Sequence, residues 1–220
     1  TCGTTWHAAG LIMQLRLSHT ATEFARYAAE LYARLEQETG QATGFKQNGT
    51  LGVCRTTERL HETRRVASIA KSAGILVLED DPYGLLGFDG EVPRAIRADD
   101  ADGVVYLGSF SKTIASGLRV GWALAPHGVR EKLVLAAESA VLCPSNYAQF
   151  TVSSYLATKP WRDQIAVFRD VYRERRDAML AALERHFPKG ATWTKPAGGL
   201  FVWVTLPREM NALELLPRAV

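Results

Sequence analysis

The chain has 220 residues, of which 47% are hydrophobic and 22% charged, a composition that excludes disordered and fibrous classes and allows a sizeable core. The formal charge of +3 arises from 26 basic and 23 acidic residues scattered along the chain, so we expect no nucleic-acid partner. Cys2, Cys54 and Cys143 form no CxxC pair, and no apolar run or charged leader suits a membrane segment, so we expect a cytoplasmic protein without a metal site or a membrane partner.

Two helices and a short strand are predicted in the first third of the chain. Apolar residues recur at helical spacing over 20–38, behind Thr20 and Thr22 as candidate caps. A strand is predicted over Thr50–Cys54, and a second helix over about Thr57–Ala73; a glycine follows each helix. The expected inner faces carry Phe24, Tyr27, Ala28, Leu31 and Leu35 in the first helix, and Leu60, Val66, Ile69 and Ala70 in the second.

Three apolar runs in the middle of the chain are typical of buried strands. The run Ile75–Leu78 continues into Glu79-Asp80-Asp81-Pro82, Val104–Leu107 continues into Gly108-Ser109, and a third run covers Leu118–Ala125. Because each run is followed by polar residues, the pattern predicts an α/β sheet with its functional site at the strand ends.

The rest of the chain is predicted to be mainly helical. The remaining elements are helices over 128–142, 145–157 and 161–186, and a hairpin formed by 191–194 and 200–206. Arg173–Arg176, on the last helix, reads Arg-Glu-Arg-Arg. A charged cluster of this kind on a helix typically forms a solvated face.

A small polar loop after the second apolar run carries the clearest chemical signal. It contains Ser109, Ser111 and Lys112, and Arg119 follows seven residues after the lysine. A lysine amine can form a Schiff base with a carbonyl group, and hydroxyls with a guanidinium suit the oxygens of a phosphate. The loop therefore favours a phosphorylated aldehyde as its ligand.

The end of the first apolar run adds a carboxylate and a phenol. Asp80 stands at the strand end, and Tyr83 follows three residues later. Pyridoxal phosphate (PLP) is a phosphorylated aldehyde whose chemistry needs a carboxylate against the pyridine nitrogen, since a protonated ring draws electrons from the substrate carbanion. A turn-forming role is the alternative for both residues taken alone, and the nearby lysine loop favours the PLP interpretation.

Four segments of the chain resemble the class I/II aminotransferases, which are fold-type I PLP enzymes. They read ILVLEDDPYGLLGFDG, VVYLGSFSKTIASGLRVGWALAP, PSNYAQF and PAGGLFVWVTLP. The resemblance covers about residues 75–220 and is strongest to the branch that includes 2-aminoadipate and kynurenine aminotransferases and the aminotransferase-like domains of some transcription regulators. It implies that Lys112 is the catalytic residue, which holds PLP as a Schiff base and moves a proton between the substrate Cα and the cofactor C4′.

The same resemblance assigns the other cofactor-binding residues and the fold. Asp80 would pair with the pyridine nitrogen, Tyr83 would bond the ring's phenolic oxygen, and Ser109, Ser111 and Arg119 would hold the phosphate. The implied fold class is α/β: a partial PLP-transferase large domain over 75–160, with a mostly parallel sheet and helices, and the start of an α+β small domain over 161–220.

Residues 1–72 resemble a different family, the FAD-dependent dimethylglycine and sarcosine dehydrogenases. The resemblance lies in GTTWHAAGL and ARYAAELYARLEQETGQATGFKQNGTLGVCRTTERL. In several of those enzymes the histidine of Trp-His-Ala-Ala-Gly is joined covalently to the flavin, and it corresponds to His7 here. We therefore expect a fusion of two enzyme fragments, with the seam between about His61 and Gly74.

Several parts of an intact aminotransferase are not found in the sequence. The glycine-rich phosphate turn and the ring-stacking aromatic are not found, Asn48-Gly49-Thr50 only mimics the Asn-Pro-x-Gly segment, and Val220 precedes the carboxylate-binding arginine. We therefore expect a truncated, weak or inactive PLP aminotransferase, acting between an amino acid and a 2-oxo acid and homodimeric where its fold is intact. Two alternatives remain open: a dimethylglycine/sarcosine-type dehydrogenase fragment with FAD at His7, and a non-catalytic fusion protein.

Overall fold

The computed structural model describes residues 15–43, 45, 57–90 and 92–219. The predicted strand Thr50–Cys54, the segment Asn48-Gly49-Thr50 and His7 lie outside these residues. The chain divides into two compact units, the first drawn from Thr1–Glu79 and Ile96–Val105 and the second from Asp80–Ala95 and Tyr106–Val220. The domain boundaries at 1–72, 75–160 and 161–220 stay a prediction. In the part of the chain that is described, no helix is both long and apolar enough to cross a membrane.

The first helix, α1, covers His19–Thr39 and confirms the predicted helix. Its cap is Ser18, whose hydroxyl accepts a hydrogen bond from Ala21 N–H at 3.3 Å, so the prediction of Thr20 or Thr22 was wrong. Gly40 ends the helix with φ 68° and donates its N–H to the Glu36 carbonyl, as a C-terminal glycine often does. The buried residues are Thr22, Ala25 and Ala29, whereas Phe24 is 76% and Tyr27 58% exposed, so the buried face lies about one residue away from the predicted one.

The second helix, α2, covers Thr57–Ser72 and belongs to the core of the first unit. Ala67 on this helix packs with Ile96 and Val104, and Leu60 and Val77 close around them. Ala70 is fully buried. Gly74 follows the helix with φ 66°, a left-handed conformation that glycine adopts without steric cost.

Three strands, β1 (Val77–Asp80), β2 (Val104–Ser109) and β3 (Gly121–Leu124), form a sheet in that order. The Val77 N–H donates to the Gly103 carbonyl and the Asp81 N–H to the Leu107 carbonyl, each at 3.0 Å. This constant offset is the pattern of parallel strands. β3 runs antiparallel to β2, from the pair Tyr106–Leu124 to the pair Ser109–Gly121.

The prediction of three buried strands is confirmed for one strand only. Val104 and Val105 of β2 are 1% and 2% exposed, but Leu78 of β1 is 65% and Leu124 of β3 53% exposed. Successive side chains of a strand point to opposite faces, so β1 presents Val77 to the core and Leu78 to the outside.

Glu79 on β1 caps a short 3-10 helix, Ile96–Ala98, in the first unit. Its carboxylate accepts the N–H groups of Ile96 and Arg97 at 2.8 and 3.0 Å. Replacing Glu79 with Ala leaves both donors unpaired, and we expect a loss of about 1–2 kcal/mol in unfolding free energy, as for other helix caps. Denaturant unfolding measures this loss. The control Glu184→Ala changes an exposed residue, and an equal loss in both variants would contradict the capping role.

The second unit contains the remaining helices and a short hairpin. These elements are α3 (His127–Val141), α4 (Asn146–Thr158), α5 (Trp161–His186), β4 (Thr192–Trp193), β5 (Val204–Thr205) and α6 (Ala212–Ala219). The three predicted helices and the predicted hairpin are confirmed, with β4 antiparallel to β5. The final helix, α6, was not predicted.

Candidate functional site

The lysine loop is a tight turn between β2 and β3. The backbone N–H groups of Thr113, Ile114 and Ala115 converge on the Phe110 carbonyl at 3.3, 2.9 and 3.1 Å. The Phe110 ring packs on Trp122 with 4.4 Å between centroids. Trp122 in turn lies over Gly108, where an added Cβ would come within 2.3 Å of the indole ring. The turn that carries Lys112 is therefore fixed at both of its ends.

Ser109, Ser111 and Arg119 form one hydrogen-bonded group beside the lysine. The Ser109 hydroxyl accepts the Ser111 N–H at 3.1 Å. The Arg119 guanidinium donates to the Ser111 hydroxyl at 3.2 Å and to the Ser116 carbonyl at 3.0 Å. Arg119 adopts φ 54° and ψ 38°, a left-handed conformation that is uncommon for a residue with a side chain. The local backbone thus directs the Arg119 guanidinium back towards Ser111 in the lysine loop.

Two groups in the lysine loop have no partner among the described residues. Lys112 is half-buried, and no described side chain hydrogen-bonds to its ammonium or forms an ion pair with it. The Thr113 hydroxyl is buried, in a residue that is 7% exposed, and finds no hydrogen-bond partner there either. Burying a hydroxyl without a partner costs about 1–3 kcal/mol, and unpaired groups of this kind are rare in native proteins.

The end of β1 places two carboxylates near the end of β2. Asp80 is exposed and has no hydrogen bond or ion pair with the residues that the structure describes. The next residue, Asp81, accepts a hydrogen bond from the Tyr106 hydroxyl at 3.0 Å, and its N–H donates to Leu107. The carboxyl ends of β1 and β2 therefore lie side by side, and the lysine loop begins at the second of them.

Tyr83 lies against the segment that joins the two strands of the C-terminal hairpin. Its ring meets Phe201 edge-on, with 6.0 Å between centroids. A Cβ built on Gly199, where φ is 75°, would lie 3.9 Å from the Tyr83 ring. The Tyr83 carbonyl accepts the Leu86 N–H at 2.7 Å and so begins the 3-10 helix Gly84–Leu86.

Gly198 lets this joining segment approach the loop after Tyr83. A Cβ on Gly198 would lie 2.8 Å from the Leu86 carbonyl oxygen and 2.9 Å from the Gly87 Cα, and neither backbone atom can move aside cheaply. We expect Gly198→Ala to lower the unfolding free energy by about 1–3 kcal/mol through overpacking. Gly128→Ala is the matched control because a Cβ there meets no atom of the described residues within 4 Å. Equal denaturation midpoints for the two variants would refute the close approach.

Arg176 of α5 does not belong to a solvated face, so the prediction for Arg173–Arg176 was wrong for this residue. That residue is 8% exposed; it forms an ion pair with Asp89, and its guanidinium lies 4.9 Å from the centroid of the Phe88 ring. Arg173 donates to the Phe88 carbonyl at 3.0 Å. The charge pattern could not separate these arginines from exposed ones because two of their partners, the Phe88 carbonyl and the Asp89 carboxylate, lie more than 80 residues away in sequence.

The ion pair gives Asp89 a titration behaviour that reports on the fold. Its hydrogen bond with Arg176 lowers the pKa of the Asp89 carboxyl below its usual range. A lowered folded-state pKa means that the unfolded chain binds the proton more tightly than the folded one. The stabilisation that the Asp89 ion pair gives to the fold is therefore present above about pH 4 and is lost as the pH falls through the folded-state pKa. We expect the difference in unfolding free energy between wild type and Asp89→Asn to shrink below pH 4.

Denaturant unfolding at pH 7, 5 and 3 measures this dependence. Glu174→Gln, an exposed change on the same helix, is the control and should follow the wild-type profile. A difference between wild type and Asp89→Asn that is constant with pH would contradict the assigned ion pair.

The structure brings together the three residues that were predicted to hold the phosphate, Ser109, Ser111 and Arg119, at the loop that carries Lys112. It puts Asp80 at the end of the neighbouring strand and Tyr83 in the turn after it. Sequence reasoning missed the Tyr106–Asp81 bond, the buried Thr113 hydroxyl that has no partner among the described residues, and the contact between Tyr83 and Phe201. Only the PAGGLF segment carried a sequence signal for the last of these, through its paired glycines.

The comparison with protein families gives two matches. The family described as aminotransferase class I and II matches residues 56–216, and the family described as FAD dependent oxidoreductase matches residues 1–101. The first match covers most of the chain and includes every predicted site residue. The second covers less than half of the chain and overlaps the first over 56–101.

Curated relatives carry aminotransferase names. The chain is 42% identical over 159 residues to the aromatic-amino-acid aminotransferase 1 of Thermococcus litoralis, a match that covers 71% of this chain and 38% of the relative. It is 37% identical to the 2-aminoadipate transaminase of Thermus thermophilus, over 79% of this chain and 44% of the relative. The chain thus spans less than half the length of these relatives.

Solved structures agree with this likeness. An alpha-aminoadipate aminotransferase from Thermus thermophilus, complexed with N-(5'-phosphopyridoxyl)-L-leucine, superposes with a TM-score of 0.68 at 36% identity, over 73% of this chain and 42% of that one. A kynurenine aminotransferase from Pyrococcus horikoshii gives a TM-score of 0.69 at 31% identity, over 94% of this chain and 56% of that one. The described part of the chain therefore has the fold of part of a fold-type I PLP-dependent aminotransferase, and the chain belongs to the class I and II aminotransferase family.

Proposed function

We propose that this chain carries the PLP-binding part of an aminotransferase that moves an amino group from an amino acid to a 2-oxo acid. One observation carries the proposal: Ser109, Ser111 and Arg119 form a single hydrogen-bonded group on the turn that holds Lys112, whose ammonium has no partner among the described residues. The family match gives this arrangement its context, since it spans all four residues.

The residues present fit the chemistry of PLP. Two hydroxyls and a guanidinium can together donate several hydrogen bonds to a phosphate, and the guanidinium also neutralises part of its charge. Thr113 adds a buried hydroxyl without a partner among the described residues. The Lys112 amine, which forms no ion pair with any described residue, lies next to this group in sequence, as a ligand with both a phosphate and an aldehyde requires.

Lys112 supplies the amine that holds the cofactor and then moves the proton of the substrate Cα. When bound, PLP supplies an electron sink for the negative charge that develops at that carbon. A lysine suits both tasks because its amine is nucleophilic when neutral and its flexible chain can follow the proton. The absence of a competing carboxylate partner among the described residues leaves this amine available.

Asp80 and Tyr83 are proposed to act on the ring. The Asp80 carboxylate would hold the proton on the pyridine nitrogen, because a negative charge favours the protonated form of a nearby base. The Tyr83 hydroxyl would hydrogen-bond the ring's phenolic oxygen. Two facts support these roles: Asp80 is free of other described partners, and Tyr83 follows it in the turn at the same strand end.

The proposed substrate class follows the names of the relatives. Their names specify aromatic amino acids, 2-aminoadipate and kynurenine, and we propose an amino acid of this range with a 2-oxo acid as the partner substrate. A homodimer and a cytoplasmic location complete the proposal. Sedimentation of the purified protein tests the first of these two.

One labelling experiment tests the function. The purified chain is incubated with PLP and FAD together, reduced with borohydride, digested and mapped by mass spectrometry. A pyridoxyl group on Lys112 is the expected result. Flavin on His7 would instead support the FAD-dependent alternative, which the match over residues 1–101 favours. The absence of both adducts, or pyridoxyl spread evenly over exposed lysines such as Lys132, would overturn the proposal.

A further inference from the structure

Three arginines of α5 bind successive parts of the loop that follows Tyr83. Arg169 donates to the Leu85 carbonyl at 2.9 Å, Arg173 to the Phe88 carbonyl, and Arg176 to the Asp89 carboxylate. Their spacing of four and three residues puts them on one face of the helix. We propose that Arg176 is a positioning residue that holds the Tyr83 phenol in place for its role at the cofactor ring. This inference rests on the function proposed above.

Arg176 links the loop after Tyr83 to the segment between β4 and β5. Its guanidinium binds Asp89 on the first segment and donates to the Pro196 carbonyl on the second at 2.7 Å. Asp177 accepts a further bond at 2.9 Å. Because the Arg176 side chain is only 7% exposed, little water is available to replace these bonds when they are broken.

Backbone bonds beside Arg176 tie the same two segments together. The N–H groups of Phe88 and Asp89 donate to the Ala197 carbonyl at 2.9 and 3.0 Å, and the Gly199 N–H donates to the Leu86 carbonyl at 3.0 Å. Gly87 and Gly198 form an antiparallel bridge between them. The two segments therefore move as one unit as long as this pairing is kept.

Tyr83 contacts both of the paired segments. Its carbonyl accepts the Leu86 N–H, and its ring lies against Gly199 and Phe201. The pairing that Arg176 fixes therefore determines where the phenol lies. Arg175 is the matched control, because it is exposed on the same helix beside Arg176.

The first test measures backbone opening without any cofactor. In hydrogen–deuterium exchange of the full chain, we expect Arg176→Met to speed exchange in 84–89 and 197–201 by roughly tenfold, as the loss of one or two buried bonds implies. Arg175→Met should leave both segments at the wild-type rate. Asp89→Asn removes the ion pairs of Asp89 with Arg176 and Arg173, and it replaces Arg176→Met if that variant does not fold. Unchanged exchange in both segments, or a uniform rise over the whole chain, would refute the positioning role.

The second test measures the phenol's effect on the bound cofactor. The absorption band of bound PLP changes with pH, and its midpoint is the pH at which half of this change has occurred. A phenol that hydrogen-bonds the ring oxygen changes this midpoint, so Tyr83→Phe should shift it. We expect Arg176→Met to shift it in the same direction, and the double variant to shift it no further than Tyr83→Phe alone, since coupled residues are not additive. Arg175→Met should leave the midpoint unchanged.

The outcomes separate this inference from the proposed function. If wild type forms no borohydride-stable adduct at Lys112, the proposed function fails, and the exchange experiment alone decides the positioning role. Suppose instead that the adduct forms. If the pH midpoint of Arg176→Met then equals that of wild type, or if the shifts of Arg176→Met and Tyr83→Phe add in the double variant, the positioning role fails and the proposed function stands.

Discussion

Replacing Lys112 with Ala is expected to abolish the borohydride-stable pyridoxyl adduct and to weaken PLP retention by at least about tenfold, equivalent to about 1.4 kcal/mol. The covalent link to the amine and the phosphate contacts act together, and the variant keeps only the second. Equilibrium dialysis against PLP, followed by reduction and peptide mapping, measures both quantities. This change leaves intact the residues proposed to bind the phosphate, Ser109, Ser111 and Arg119, so weak binding without an adduct is the expected result.

Lys132→Ala is the control for this experiment because Lys132 is exposed on α3. It should retain PLP and form the adduct at Lys112 as wild type does. The fold itself is not expected to suffer in either variant. No described residue pairs with Lys112, and substitution of an exposed residue such as Lys132 usually changes stability by less than about 0.5 kcal/mol. An adduct of wild-type yield in Lys112→Ala would place the cofactor elsewhere.

The elements that the sequence predicts well are those with local causes. The helices α3, α4 and α5 show apolar spacing bounded by proline, serine or glycine, and each begins and ends within about two residues of its predicted range. The short hairpin of β4 and β5 was likewise recognisable from its proline-glycine joining segment. Local signals of this kind are contained in a few neighbouring residues and do not depend on the rest of the fold.

Burial was harder to predict because it depends on what covers each face. The apolar run of β1 suggested a strand buried on both sides, yet Leu78 is exposed, and the large side chains of α1 lie outside while Ala25 and Ala29 are buried. Small residues let α1 approach its neighbours closely, and hydrophobic spacing alone does not reveal that preference. Hydrophobic spacing shows which side chains share a face of a helix or strand, but it does not show which of these faces another element covers.

The candidate site divides along the same line. The cluster proposed to bind the phosphate was predictable because Ser109, Ser111 and Arg119 lie within eleven consecutive residues, and their hydrogen bonds are local. The support for Tyr83 was not predictable, because Phe201 and Arg176 reach it or its loop from more than 80 residues away. Such pairing requires the fold to be known.

Arg176→Met is expected to lower the unfolding free energy by about 2–3 kcal/mol. Arg176 is buried and binds Asp89, Asp177 and the Pro196 carbonyl. Breaking a fully buried ion pair costs about 3–5 kcal/mol; the expected loss is smaller because the Asp89 side chain is 40% exposed, so water can solvate the carboxylate that remains. Methionine keeps much of the apolar volume beside Phe88 and so isolates the loss of the polar bonds.

Chemical denaturation of wild type, Arg176→Met and Arg175→Met at pH 7 measures the effect. The control should lie within about 0.5 kcal/mol of wild type because Arg175 is exposed. The loss in Arg176→Met should become smaller at pH 3, where protonation of Asp89 weakens the ion pair in wild type as well, as the lowered pKa of that carboxyl requires. A loss that is equal at both pH values would show that Arg176 stabilises the fold through packing rather than through its charge.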